Sequence, residues 1–161
     1  YRRSLPKIRA FLVELDKFEH GKPYDPETIE SRYNEMIADF ADANYGDRPV
    51  YVTVEMEKHL FPGYARIPEG LALRLFKPGE IPPPPPLREE LFRFRPFHRK
   101  ERLVSGLFSM YATMLTNHGV RFMEYGRYRE AERCFLKALE IDPGHAQASE
   151  WYRRAREAGR G

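Results

Sequence analysis

The chain has 161 residues, 42% hydrophobic, 32% charged and 14% aromatic, which suits one or two domains with a real core and excludes a disordered or fibrous polypeptide. One cysteine, Cys134, excludes an intramolecular disulfide framework and a cysteine-based zinc site, and the five histidines (20, 59, 98, 118 and 145) stand too far apart for a helical metal pair. The net charge of +3, from 27 basic and 24 acidic residues, is too even for a nucleic-acid binder without a concentrated basic patch.

The sequence starts at Tyr1, without an initiator methionine or a signal-peptide pattern, and is expected to be a fragment of a longer protein. Leu5, Ile8, Leu12 and Leu15 recur at helical spacing, with Ser4 as a candidate N-cap and Pro6 in the first turn. Gly21 and Pro23 end that helix. Asp25-Pro26-Glu27 opens a second, with a capping carboxylate, a proline at the first helical position and an acid at the positive helix end. Its apolar stripe is Ile29, Tyr33, Ile37 and Phe40, and residues 44 to 46 stop it. Val50 to Val54 is made of β-formers and reads as a strand buried on both faces. Leu71 to Phe76 reads as a second strand, ending at Lys77-Pro78-Gly79. A helical turn fits between them, near Glu57 to Phe61. Two strands alone are marginal in water.

Five prolines, Pro82 to Pro86, form a polyproline II connector that can join neither a helix nor a sheet interior. Beyond about residue 99 the pattern is helical. The 18 residues from Leu103 to Val120 carry no charge, but Ser105, Ser109, Thr113, Thr116, Asn117 and His118 make them too polar for a membrane span. This stretch is expected to be a core helix near 100 to 125, paired antiparallel with 128 to 140.

The C-terminal third resembles a tetratricopeptide repeat over about residues 112–145. In a 34-residue frame starting at Ala112, Leu115 takes the large fourth position, Gly119 the small eighth and Phe122 the aromatic eleventh. Gly126 and Tyr128 form the turn, and Ala131, Phe135, Ala138 and Pro143 take positions 20, 24, 27 and 32. The departures are His118, where leucine is usual, and Leu115 in place of tryptophan. Residues 146 to 158, with Ala148, Trp151, Tyr152 and Ala155 on one face, form the capping helix. One repeat cannot bury its faces alone, so the preceding region is expected to pack on its other side. The concave positions fall on Thr113, Thr116, Val120, Met123 and Glu124, a candidate interaction groove that lacks the Lys and Asn of a two-carboxylate clamp.

A second resemblance covers most of the chain. Arg48-Pro49-Val50-Tyr51-Val52, then Glu69-Gly70-Leu71-Ala72-Leu73-Arg74-Leu75, then helices with a tetratricopeptide unit, is similar to the soluble C-terminal portion of bacterial protein O-mannosyltransferase-like polytopic membrane proteins. Those carry an Arg-Pro-Ile-Tyr-Phe strand and a Glu-Gly-Leu-x-x-Arg-Leu strand in this order, and Tyr1-Arg2-Arg3 corresponds to the tail of their Trp-Tyr segment. The resemblance implies a parent that transfers sugar from a lipid carrier, with this portion extracytoplasmic (periplasmic) and any catalytic carboxylates upstream.

No catalytic constellation, cofactor motif or metal set stands out. Glu55, Glu57 and His59 would share a face only in an extended strand, and a solvated strand end or turn is the preferred reading. Arg48 is read as a strand-edge contact. Arg88 to Arg102 interleaves Phe92, Phe94 and Phe97 with Arg93, Arg95 and Arg99, read as a connector packing its rings inward rather than as an anionic-membrane contact or, less still, a nucleic-acid site.

The expected fold is α+β and mostly helical. A small two-stranded element with packed helices fills 1–80, a proline-rich connector 81–98, and the tetratricopeptide hairpin with its cap 99–161. The expected function is a non-catalytic interaction or scaffolding module with no cofactor, the alternative being a cytoplasmic tetratricopeptide adaptor. Its expected partners are a protein or peptide and the membrane-embedded part of the same polypeptide, with no nucleic acid. The helices at 4–18 and 26–44 are expected to cover the strand pair and leave one edge for a second copy.

Overall fold

The computed structural model of the chain describes residues 4–56, 58–87 and 102–160. They form a mostly helical α+β protein: α1 (Leu5–Glu19), α2 (Pro26–Asn44), β1 (Tyr51–Val52), a 3-10 turn (Lys58–Leu60), β2 (Ala65–Glu69), β3 (Ala72–Phe76), α3 (Arg102–Glu124), α4 (Tyr128–Ile141) and α5 (Ala146–Ala158). The chain divides into two compact units, 1–51 with 55–64, and 52–54 with 65–161. Residues 65–80 therefore share a unit with the C-terminal helices.

In the first unit α1 and α2 pair antiparallel. Lys7 meets Glu35 at 2.9 Å, and the Phe11 ring lies 5.7 Å from that of Tyr33. The inward stripe on α1 is Ser4, Ile8, Phe11 and Leu15; Leu12, one helical step off it, is 51% exposed. Ser4 occupies the N-cap position with helical dihedrals (φ −85°, ψ −5°), so its hydroxyl makes no capping bond and is buried without a partner among the described residues. Asp25 caps α2 as the sequence predicts. Its carboxylate accepts from the Glu27 and Thr28 amides, both at 3.2 Å, and from the Thr28 hydroxyl at 2.6 Å, which holds its pKa below the usual carboxylate value. The Tyr64 hydroxyl donates to Asp42 of α2, and its ring packs 5.1 Å from Tyr45.

The sheet corrects the two-strand expectation. It has three strands in the order β1-β3-β2, so β3 is central and paired on both sides. The additional strand, β2, pairs antiparallel with β3 from Ala65↔Phe76 to Glu69↔Ala72. Arg66, Pro68 and Glu69 hide it from hydropathy patterning, and Pro68 is tolerated because β2 is an edge strand. Gly70, at φ 63°, starts the two-residue turn into β3, and no non-glycine residue among those described has positive φ, which matches a type II′ hairpin. The expected strand at 50–54 shortens to Tyr51–Val52. Tyr51 is 45% exposed while Val52 is buried, so it is covered on one face only. The expected covering helices, α1 and α2, fall in the other unit, and within the sheet's own unit it is α3 that touches β2.

The second unit holds most of the core. Ala112 and Leu115 of α3 cluster with Ala138 of α4, Gly119 faces Phe135, and Phe122 clusters with Ala131. Contacts that run forward on one helix and backward on the other define an antiparallel hairpin. Alanine and glycine at these crossings let the two backbones approach closely, and phenylalanine fills the space beside them. α5 closes the hairpin's open side with Ala148 and Ala155, and Trp151 stacks on Phe135 at a centroid distance of 6.5 Å. Among the described residues no strand occurs between 102 and 158, and no helix is long and apolar enough to cross a membrane.

Candidate interaction surface

The five expected groove residues all lie on α3, and most are engaged inside the unit. Thr116 is buried, and its hydroxyl donates to the Ala112 carbonyl at 2.8 Å. Thr113 belongs to a relay. The Ala148 amide donates to His145 Nδ1 at 3.1 Å, so the neutral imidazole carries its proton on Nε2 and donates it to Thr113 Oγ1, also at 3.1 Å. Thr113 in turn donates to the Ser109 carbonyl at 2.9 Å. This relay caps α5 from a histidine and ties it to α3. Val120 and Met123 pack on the cluster around Phe122 and Phe135. Glu124 is exposed and paired with Arg121 at 2.7 Å.

What lies on the helical hairpin is the proline connector. Arg121 of α3 donates from Nη2 to the Pro82 carbonyl at 3.0 Å, and Arg127, in the α3–α4 turn, donates from Nη1 to the Pro84 carbonyl at 2.8 Å. Each guanidinium is held by two further groups. Arg121 pairs with Glu124, reaches the Tyr125 hydroxyl at 2.9 Å, and sits 4.6 Å from that ring's centroid. Arg127 pairs with Glu130 at 2.8 Å and lies 4.5 Å from the centroid of Phe122. Pro84 is buried, and Leu87 packs against both apolar clusters of the hairpin. The Arg127 guanidinium keeps the Glu130 carboxyl below its ordinary pKa. Arg121 Nε is buried with no hydrogen-bond acceptor among the described residues.

Neither arginine is legible as a site from the sequence. Each sits in an ordinary helix-surface setting, with a carboxylate three residues on, and only the fold brings the proline carbonyls to them. The one available signal was an uninterrupted proline run, whose carbonyls no ladder can use.

His118, the departure from the repeat pattern, explains itself in the fold. It is mostly buried, and its Nε2 donates to the Gly70 carbonyl at 3.2 Å, joining α3 to the β2–β3 turn. Burial pushes its pKa below the ordinary histidine value, outweighing the opposing effect of that hydrogen bond. The folded state therefore binds fewer protons than the unfolded chain. The resulting stability is present above the unfolded histidine pKa and is lost as pH falls from there through the lowered folded-state pKa. Urea melts of the chain should show lower stability at pH 5 than at pH 7, and His118→Gln should reduce that difference. Equal pH dependence in the two proteins would remove His118 as its source.

Cys134 is also buried, which pushes its thiol pKa up to about 12. At pH 8 an aromatic disulfide reagent should leave it unmodified in the folded chain and titrate one thiol in guanidinium. Fast reaction of the native protein would contradict that burial.

Glu55 lies in a turn and His59 in the 3-10 helix, so the extended face needed to align them with Glu57 does not form; Glu57 itself lies outside the described residues. His59 approaches the Asn34 side chain at 3.5 Å. Among the described residues no three His, Cys, Asp or Glu side chains gather in a metal-binding group. Arg48 is an exposed bend residue whose amide donates to the Asn44 carbonyl. Of the aromatic–arginine stretch only Arg102, the first residue of α3, lies within the described residues. No family model, curated protein or solved structure matches the chain.

Proposed function

We propose that this chain is a non-catalytic protein-interaction module built on a tetratricopeptide-like hairpin, forming the extracytoplasmic C-terminal part of a membrane glycosyltransferase-like protein. The observation that carries the interaction reading is the α3–α4 crossing. Gly119 and Phe135 meet there at repeat positions eight and 24, so closely that an added Cβ on Gly119 would stand 2.4 Å from the ring. The placement of α5 across the open side supports the same reading, since it is where a capping helix belongs. The membrane parent is supported by the Glu69-to-Leu75 phrase, whose Gly70 is the turn that His118 grips.

Two measurements test the two halves. The gene upstream of Tyr1 should encode several apolar segments of about twenty residues. Their absence sinks the membrane parent and leaves the cytoplasmic adaptor. Photo-crosslinkers at the exposed positions Leu136 and Arg153, carried by the full-length protein in its native membrane, should yield a discrete product with another polypeptide. Crosslinks confined to the chain itself would defeat the interaction reading.

A further inference from the structure

We propose that the surface carrying Arg121 and Arg127 is a receptor for proline-rich segments of a partner protein, filled in the isolated chain by its own Pro82–Pro86. This rests on the interaction-module reading and specifies the chemistry of the partner. The case begins with what a proline run can offer. It has no N–H to donate, its fixed φ holds an extended helix, and every carbonyl stands free as an acceptor. Recognition of such a segment calls for donors aimed at carbonyls, flat aromatic surfaces, and a pocket for an apolar side chain.

The hairpin supplies the donors and the apolar seat, and its rings serve to hold the donors in place. Two guanidinium groups donate to the carbonyls of Pro82 and Pro84. Each is backed by an aromatic ring, Tyr125 or Phe122, and oriented by a carboxylate, Glu124 or Glu130. Between the apolar clusters lies the seat of Leu87. The same two-part support for an arginine, a ring and a carboxylate, thus occurs twice, and both copies end on the same strap. A pair of incidental surface ion pairs would have no reason to converge there.

Its own strap competes as a tethered ligand. A short tether holds it at an effective concentration in the millimolar range, so a free segment of equal affinity stays excluded at concentrations below this. The strap thereby sets a threshold. A partner occupies the surface when it brings a longer proline segment or a second point of attachment.

The test uses the 161-residue chain and a fluorescein-labelled peptide with the sequence of Glu80–Leu87, alongside a control peptide with serine at all five prolines. A chain variant carrying Pro82→Ser through Pro86→Ser keeps the carbonyls but loses the preset conformation and the buried Pro84 ring. By fluorescence anisotropy it should bind the proline peptide at least about tenfold more tightly than the parent, as expected when a tethered competitor is weakened. Adding Arg121→Gln and Arg127→Gln should abolish the gain, and the serine peptide should bind none of the proteins. Equal binding of the two peptides, or a gain that survives loss of both arginines, overturns the proposal. Should the serine variant lose its helical circular dichroism, the parent chain is titrated to about 10 mM peptide, above the tether's effective concentration. Shifts at the Arg121 and Arg127 side-chain NMR signals then support the proposal, and unchanged signals overturn it. Dimerisation of the parent chain that disappears in the serine variant would make a second copy's strap the occupant and overturn the partner-protein assignment. Failure of the peptide experiments together with a discrete photo-crosslinked product would remove the proline chemistry while leaving the interaction module standing.

Discussion

Gly119→Val is expected to be among the most damaging single substitutions in the helical unit, lowering its stability by about 3 kcal/mol, the upper end of overpacking costs. A Cβ built on Gly119 would stand 2.4, 2.7 and 2.8 Å from three atoms of the Phe135 ring. That ring cannot swing aside, because it is fully buried and stacked on Trp151. Helix propensity acts in the opposite direction, since replacing a mid-helix glycine normally gains a few tenths to about 1 kcal/mol. The steric term wins here. Gly106, in the same helix, is the internal control: nothing among the described residues lies within 4 Å of its built Cβ, so Gly106→Ala should stabilise by up to about 1 kcal/mol. At about 4–8 °C per kcal/mol for a unit of this size, the two variants should melt on opposite sides of the parent and well over 10 °C apart. A Gly119→Val protein that melts with the parent would show that α3 and α4 do not approach as described.

Phe135→Ala attacks the same crossing from the other side and is expected to cost about 3–5 kcal/mol, the usual range for emptying a phenylalanine site in a closed core. Phe135 lies among Phe122, Ala131, Cys134 and Ala155, so its removal loosens α3, α4 and α5 together. The chain's one tryptophan, Trp151, reports the event. Its emission should shift to the red in the variant and its unfolding midpoint in urea should fall. Gly119→Val combined with Phe135→Ala should destabilise by clearly less than the sum of the single effects, because the valine then fills part of the vacated space. Simple additivity would mean that the two residues do not share a contact.

The α3–α4 crossing was legible at these positions because its pattern is dictated by local packing geometry. Small residues at 119, 131 and 138 and large ones at 122 and 135 report a helical crossing whatever surrounds it. The candidate groove was less legible. The concave positions assume a neighbouring repeat to shape the surface. Here Thr113 is claimed by His145, Thr116 by the carbonyl one turn back, and Val120 and Met123 by the core.

Sequence alone determined the features that depend on a few neighbouring residues. Asp25-Pro26 starts a helix because its carboxylate reaches the amides two and three positions ahead. The extents of α1, α2, α4 and α5 follow from apolar periodicity and from the glycines and prolines that bound them. Only the tertiary structure decided the rest. β2 is a strand because β3 offers it an edge and Gly70 turns the chain back; its own residues alternate poorly and include a proline. His118 is understood only beside Gly70, 48 positions away, and Arg121 and Arg127 only beside carbonyls 39 and 43 positions away. Such contacts leave no local trace because a carbonyl is present at every residue. Which carbonyl comes within 3 Å of which donor is set by how the elements pack, and periodicity along the chain carries no record of that.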